Sequence, residues 1–164
     1  MQDYTLTPLM PSDRKAIVDI FNYYIANSFA AYPENPVPYE FFDHLLETCR
    51  NYPAVVARGP GGEPVGFGLL RPHNPMPAFH RTAEITYFIR PESTGNGIGS
   101  LMLGHLQACA KEQGITTLLA RISSLNEGSI RFHGHHGFVE CGRFSQVAEK
   151  KGTVFDTVWM QKFL

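Results

Sequence analysis

Apolar residues recur at helical spacing in Ile17, Ile20, Phe21, Tyr24 and Ile25, behind Ser12 or Asp13 as a cap and a short strand at Thr5-Leu6-Thr7. From Asn27 to Pro38 the period dissolves: Pro33, Pro36 and Pro38 break regular structure, and Phe29 and Tyr32 sit among polar neighbours. Two readings of this loop stay open, a surface connection or a substrate-lining segment on a rigid scaffold. Tyr39 to Arg50 resumes a helical period with Phe42, Leu45 and Leu46 on one side. Ala54 to Ala57 and Val65 to Leu70 are strand-like runs joined by Gly59-Pro60-Gly61-Gly62, a hairpin signature. An irregular, proline-rich loop from Arg71 to His80 leads into a strand, Glu84 to Arg90. A helix from Leu101 to Gln113, stopped by Gly114, is followed by a strand, Thr116 to Ile122. A short helix from Asn126 to His135, stopped by Gly137, precedes two closing strands, Phe138 to Phe144 and Thr153 to Met160.

This order predicts one mixed α/β domain over residues 1–164. Its sheet is mostly antiparallel, with one right-handed parallel strand–helix–strand crossover and helices on both faces.

The crossover contains the most informative stretch, Ser93-Thr94-Gly95-Asn96-Gly97-Ile98-Gly99-Ser100. Glycines in such a turn allow left-handed backbone and close approach of a ligand, and the helix that follows aims free N–H groups at the same point. A strand, a glycine-rich turn and a helix N-terminus form a cradle for a phosphate or pyrophosphate. A P-loop is excluded because no lysine lies between Arg90 and Lys111. A dinucleotide fingerprint is disfavoured by the Gly-x-Gly-x-Gly spacing and by the absence of an acid from Leu119 to Leu125. A glycine turn without a ligand is the alternative.

A net charge of −1 gives no electrostatic footprint for nucleic acid or for an anionic membrane. No apolar run approaches the roughly 20 residues that span a bilayer, and Met1 to Arg14 lacks the apolar core of a signal peptide. Three cysteines, Cys49, Cys109 and Cys141, are far apart and form no Cys-x-x-Cys pair, which fits a reduced, cytoplasmic protein. Cys109 reads as a small buried hydrophobe on a helix face. His133, His135, His136 and Cys141 do not suggest a metal site, since neighbouring helical residues point apart and the spacing is not that of zinc ligands.

Two further patterns make the chain resemble the GNAT superfamily of acyl-CoA N-acyltransferases. Thr94-Gly95-Asn96-Gly97-Ile98-Gly99 resembles that family's Gln/Arg-x-x-Gly-x-Gly/Ala, with Thr94 in the place of the Gln or Arg. Asn126, Ser129, His133, Gly137 and Phe138 resemble its second signature, in the right order about thirty residues on. Within the superfamily the chain is similar to the phosphinothricin and methionine sulfone acetyltransferases. The likeness lies in Phe21 to Ser28, in Ala78-Phe79 ahead of Glu84, in Ser129-Ile130-Arg131-Phe132-His133, and in Phe155-Asp156. It departs from them at Met76, where an Arg is usual, at Phe79, where a Tyr is usual, and at Pro33, which replaces an arginine.

The resemblance implies acetyl-CoA as co-substrate and no metal. The pantetheine arm would run along Tyr87, Phe88 and Ile89, and the pyrophosphate would sit on the amides of Thr94, Gly95, Asn96, Gly97, Ile98, Gly99 and Ser100. Asn126 would bond near that arm, or serve simply as a helix cap. Glu84 takes the place of the general base, against the reading of an ordinary strand carboxylate, and His133 that of a proton donor to the thiolate, against a structural histidine. Phe29, Tyr32, Phe79 and Phe155 would border the acceptor, a small amino acid or analogue. His73 and His80, in the loop ahead of Glu84, would touch substrate or, more simply, stand as exposed loop histidines. The resemblance further implies a homodimer. Acetylation of another small amine or of a protein N-terminus, and a non-catalytic acyl-CoA sensor, are the alternatives.

Overall fold

The structure, a computed structural model, describes residues 3–164. Met1 and Gln2, within the segment read for a signal peptide, lie outside the described residues. The strands are β1 (Thr5–Pro8), β2 (Ala54–Arg58), β3 (Pro64–Pro72), β4 (Thr82–Ile89), β5 (Thr117–Ser123), β6 (Val139–Lys150) and β7 (Thr153–Phe163). The helices are α1 (Arg14–Asn27), α2 (Phe41–Thr48), α3 (Ile98–Glu112) and α4 (Glu127–His135). All seven strands form one sheet in the order β1-β2-β3-β4-β5-β7-β6. Every neighbouring pair is antiparallel except β4 with β5, the two strands joined through α3. This is the mixed sheet with one parallel crossover that the sequence predicts.

Alternation along the strands sends side chains to two cores. On one face Met102, Leu103, Leu106 and Ala110 of α3 pack on Ile85, Leu118, Ala120 and Val158. On the other, Ile17 and Ile20 of α1 and Phe42 and Leu45 of α2 pack on Val56, Phe67 and Leu69. Gly68 of β3 lets α3 lie close, since a Cβ there would stand 3.2 Å from Leu106 Cδ1 and 3.3 Å from Tyr87 Cβ. Cys49 is buried in the second core, whereas Cys109 is only half-buried, beside His105.

Some element boundaries differ from the pattern. α3 begins at Ile98, three residues before Leu101, because Gly97 (φ 80°) takes the cap position and Ile98 is buried. The closing strands are longer than predicted. Gln146 (φ 52°) marks a bulge in which the register slips between Phe144 and Ala148, so apolar alternation is lost while strand pairing continues. A tight turn at Lys151 (φ 50°) and Gly152 (φ 74°) closes this hairpin.

The Asn27–Pro38 loop is tied down at both ends. Asn22 brackets Val37, accepting from its N–H at 2.8 Å and donating to its carbonyl at 2.9 Å. Lys150, 1% exposed, sends its ammonium into the loop and donates to the carbonyls of Ile25 (2.7 Å), Ser28 (2.7 Å) and Ala31 (2.6 Å). Burial lowers the Lys150 pKa from its ordinary value. Lys150→Met would strand three inward carbonyls, two of them in fully buried bonds. The expected loss is about 3 kcal/mol in denaturant unfolding, at roughly 1 kcal/mol or more for each unsatisfied group; a change within 0.5 kcal/mol would show that the loop holds without it.

Candidate active site

Parallel pairing between β4 and β5 lasts only three residues: Thr82↔Thr117, Ala83↔Leu118 and Glu84↔Leu119. Beyond Glu84, β4 stays with β3 as far as Ile89↔Gly66, and β5 stays with β7 as far as Ser123↔Thr157. The two strands part, and a cavity of about 750 Å³ opens between Ile85–Ile89 on one side and Ala120–Ser123 on the other.

One end of the cavity is the glycine turn. Gly95 (φ 78°) and Gly97 (φ 80°) have left-handed backbone that a side chain would strain, and a Cβ at either would meet no protein atom within 4 Å. Among the described residues, the amides from Gly95 to Ser100 donate to no protein acceptor, as expected where a turn enters the first turn of a helix. The Thr94 hydroxyl is spent on the Pro91 carbonyl at 2.7 Å, and the Asn96 side chain on those of Ser93 and Thr94. The cradle is therefore built of main chain. Gly99 serves packing, because a Cβ there would stand 3.2 Å from the Phe132 ring of α4.

Glu84 stands where the strands part and is 8% exposed. Arg71, its partner across β3, donates from Nη2 to Oε2 at 2.6 Å, and His73 Nδ1 lies 3.0 Å from Oε1. The His73 ring meets Phe79 and Trp159 edge-on. His73, read from sequence as an exposed loop residue, is thus half-buried and bonded to the carboxylate. His80 is exposed and bonds only to its own turn.

Tyr87 and His133 meet along the other wall. His133 is 3% exposed; its Nδ1 lies 2.7 Å from the Ser129 carbonyl and therefore carries the proton. Its Nε2 is left to accept from the Tyr87 hydroxyl, and the two rings stack at 5.5 Å. Burial lowers the His133 pKa, with His136 nearby adding to the effect, so the imidazole is neutral at pH 7. Burial pushes the Tyr87 phenol far above its usual range, so it stays protonated. Asn126 lines the cavity and also caps α4, accepting from Ser129 N–H at 3.2 Å.

The four aromatic residues expected around the acceptor divide. Tyr32 lines the cavity and stacks on Phe155 at 6.1 Å. Phe155 is buried beneath it, and Phe29 meets Phe155 edge-on at 5.6 Å, outside the lining. Phe79 is exposed over His73. Arg71 and Arg121 enter the lining without having been singled out from sequence. Arg121 had a signal there, a charge interrupting the apolar run Leu118-Leu119-Ala120 and Ile122. Among the described residues no three of His, Cys, Asp and Glu gather as metal ligands, and no helix is long and apolar enough to cross a membrane.

A cleft between two parted parallel strands, ending in a glycine turn with free amides, can be compared with known proteins. The family model described as Acetyltransferase (GNAT) family matches residues 17–138. An L-methionine sulfoximine/L-methionine sulfone acetyltransferase of Pseudomonas aeruginosa is 31% identical over 152 residues, 92% of this chain and 88% of that protein. The crystal structure of a ribosomal-protein-alanine N-acetyltransferase from Brucella melitensis superposes with a TM-score of 0.91 at 31% identity, over 98% of this chain and 99% of that one. A GNAT superfamily phosphinothricin acetyltransferase from Sinorhizobium meliloti, solved in complex with AcCoA, superposes with a TM-score of 0.93 at 27% identity, over 98% and 88%. With the family model matching three-quarters of its length and its fold shared with these acetyltransferases, the chain belongs to the GNAT family of acetyltransferases.

Proposed function

We propose that this protein transfers the acetyl group of acetyl-CoA to the amino group of a small amino acid or analogue, with Glu84 as general base. The observation that carries the proposal is the juxtaposition of a buried carboxylate with the parting of two strands whose far end offers six free amides. The open edge of β4 from Tyr87 to Ile89 suits the amide-bearing pantetheine arm, and the amides from Gly95 to Ser100 suit the pyrophosphate, whereas the Thr94 amide, expected there too, is bonded to the Pro91 carbonyl. Acetyl-CoA supplies the acyl group as a thioester.

The residues then divide the work. Arg71 and His73 hold the Glu84 carboxylate in one orientation, and it takes the proton of the acceptor ammonium directly or through a water. The neutral amine attacks the thioester carbonyl, with a β4 main-chain N–H near Phe88 aimed at the developing oxyanion. As the C–N bond forms and the C–S bond breaks, the thiolate leaves and takes a proton from water in the open cleft, because the Tyr87 hydroxyl already gives its proton to His133 Nε2 and burial holds that phenol far above the range of a thiol. His133 acts through Tyr87, holding that hydroxyl from a buried, neutral ring. Tyr32, with Phe155 and Phe29 behind it, walls the acceptor side, and Phe79 borders it through His73. The chain's similarity to a ribosomal-protein-alanine N-acetyltransferase supports a second reading, acetylation of a protein N-terminus.

Gly97→Val places a β-branched residue at φ 80° and should abolish coenzyme A binding by calorimetry; affinity within threefold of wild type would remove the cradle from the scheme. Glu84→Gln should lower turnover about 100-fold at neutral pH, a typical general-base contribution, while acetyl-CoA affinity holds. Full activity with an unchanged pH profile would exclude Glu84 as the base. His133 also makes stability depend on pH. Its folded pKa lies below its unfolded value near 6.5, so its contribution is complete above that pH and is lost as pH falls toward the folded pKa. As pH falls below about 6.5, wild type should therefore lose stability more steeply than His133→Gln, by up to about 1.4 kcal/mol per pH unit. Parallel curves would show that the imidazole is not held neutral.

A further inference from the structure

On the face of the sheet that carries Glu84, α1 and α2 cover β2, β3 and β4, while the Asn27–Pro38 loop crosses over β5 and β7. Arg121 is exposed on that face and meets the loop at Tyr32. Its guanidinium carbon stands 5.5 Å from the Tyr32 ring centroid and 5.7 Å from that of Trp159, its cross-strand partner. Among the described residues no carboxylate lies within 4 Å of it, whereas Arg71 is committed to Glu84 and Arg58 to Asp13. Two aromatic contacts hold the guanidinium plane but use none of its N–H groups.

Arg121 also stands at a junction. It lines the main cavity and a second one of about 330 Å³ that continues toward the β6–β7 bulge. Phe144, Val147, Ala148, Phe155 and Trp159 are apolar residues on the walls of that chamber, and Glu149 is the carboxylate on its lining. Arg121 is two residues beyond Leu119, the partner of Glu84, so both charged side chains leave the same face roughly 7 Å apart along the strand direction.

We infer that Arg121 selects the acceptor. It binds the carboxylate of a free α-amino acid, whose apolar side chain occupies the chamber at the bulge. The inference rests on the acetyl-transfer reading and narrows its substrate class. A guanidinium edge matches a carboxylate in a bidentate fork, and the amino group on the neighbouring carbon then turns toward Glu84. The chamber walls accept an aromatic or branched aliphatic group, and Glu149 disfavours an acidic one.

The test compares L-phenylalanine with L-phenylalaninamide, which differs only at the carboxylate, in wild type, Arg121→Ala and Arg121→Lys. Thiol release gives KM. Emission of Trp159, the chain's one tryptophan, gives binding without turnover. In wild type the KM of the amide should exceed that of the acid at least tenfold. In Arg121→Ala that ratio should fall to near one through a 10- to 100-fold rise in KM for the acid, with Arg121→Lys between. Turnover with equal KM for acid and amide, or an acid KM unmoved by Arg121→Ala, overturns the inference and leaves acetyl transfer standing. Acid binding seen by Trp159 and lost in Arg121→Ala, without turnover of any amine, upholds Arg121 and overturns acetyl transfer. Neither binding nor turnover overturns both.

Discussion

The three-residue limit on pairing between β4 and β5 is the constraint from which the site follows. A longer ladder would close the cavity, and a shorter one would detach the two halves of the sheet. The strands can part because each keeps an antiparallel partner on its other side to its end, β3 for β4 and β7 for β5. Side-chain clamps hold the opening. Tyr24 of α1 donates to the Ile89 carbonyl at the far end of β4, and Tyr87 is bonded to His133 of α4. The main-chain groups that lose their ladder face a cavity where water or an amide-bearing ligand can satisfy them, so the exposure costs little until the site is filled.

The two-residue period of β4 then separates two kinds of chemistry. Ile85, Tyr87 and Ile89 join the core beneath α3, and Tyr87 thereby reaches His133. Glu84 pairs with Arg71 on the opposite face, the side on which Phe88 packs with α1. A carboxylate and a hydroxyl brought by one strand to opposite faces of a sheet share a space only where something passes through the plane of the sheet. The parted strands provide that passage. Strand geometry thus keeps the two groups in environments that differ: an ion-paired carboxylate on one side, a buried neutral imidazole on the other.

Much of this was legible in the chain. Helical and alternating periods located the four α-helices and the seven strands, and three glycines after a strand located the turn at the end of the cleft, because those signals are local. Boundaries failed where a neighbour overrode the local signal. Gly97 started α3 three residues early, and the bulge at Gln146 carried β6 through a stretch without alternation. Partnerships across the fold were not legible. Spacing could place Glu84 on a strand, but it could not show that His73, eleven residues earlier in a loop, folds back to hold it. It could not foresee that Lys150 spans the molecule to reach Ile25. Phe29 and Phe79 were recognisable as aromatic residues in loops, yet which ring faces the cavity depends on Phe155 and His73, to which they turn instead.

The acceptor side is asymmetric in a way that bears on specificity. The Asn27–Pro38 loop is tied by Asn22 at one end and by an ammonium surrounded by three carbonyls at the other, so moving it would leave a buried charge without partners. Across the cleft, the Arg71–His80 loop exposes Met76 and Phe79 and is held near Glu84 by its first residues. One wall is therefore rigid in backbone and can discriminate only through the side chains it meets, Tyr32 against Arg121 above all. The other can exchange surface residues without disturbing the fold. It is on this second wall that Met76 and Phe79 depart from the phosphinothricin pattern, while on the first Arg121 is held between the Tyr32 and Trp159 rings with no carboxylate against it among the described residues.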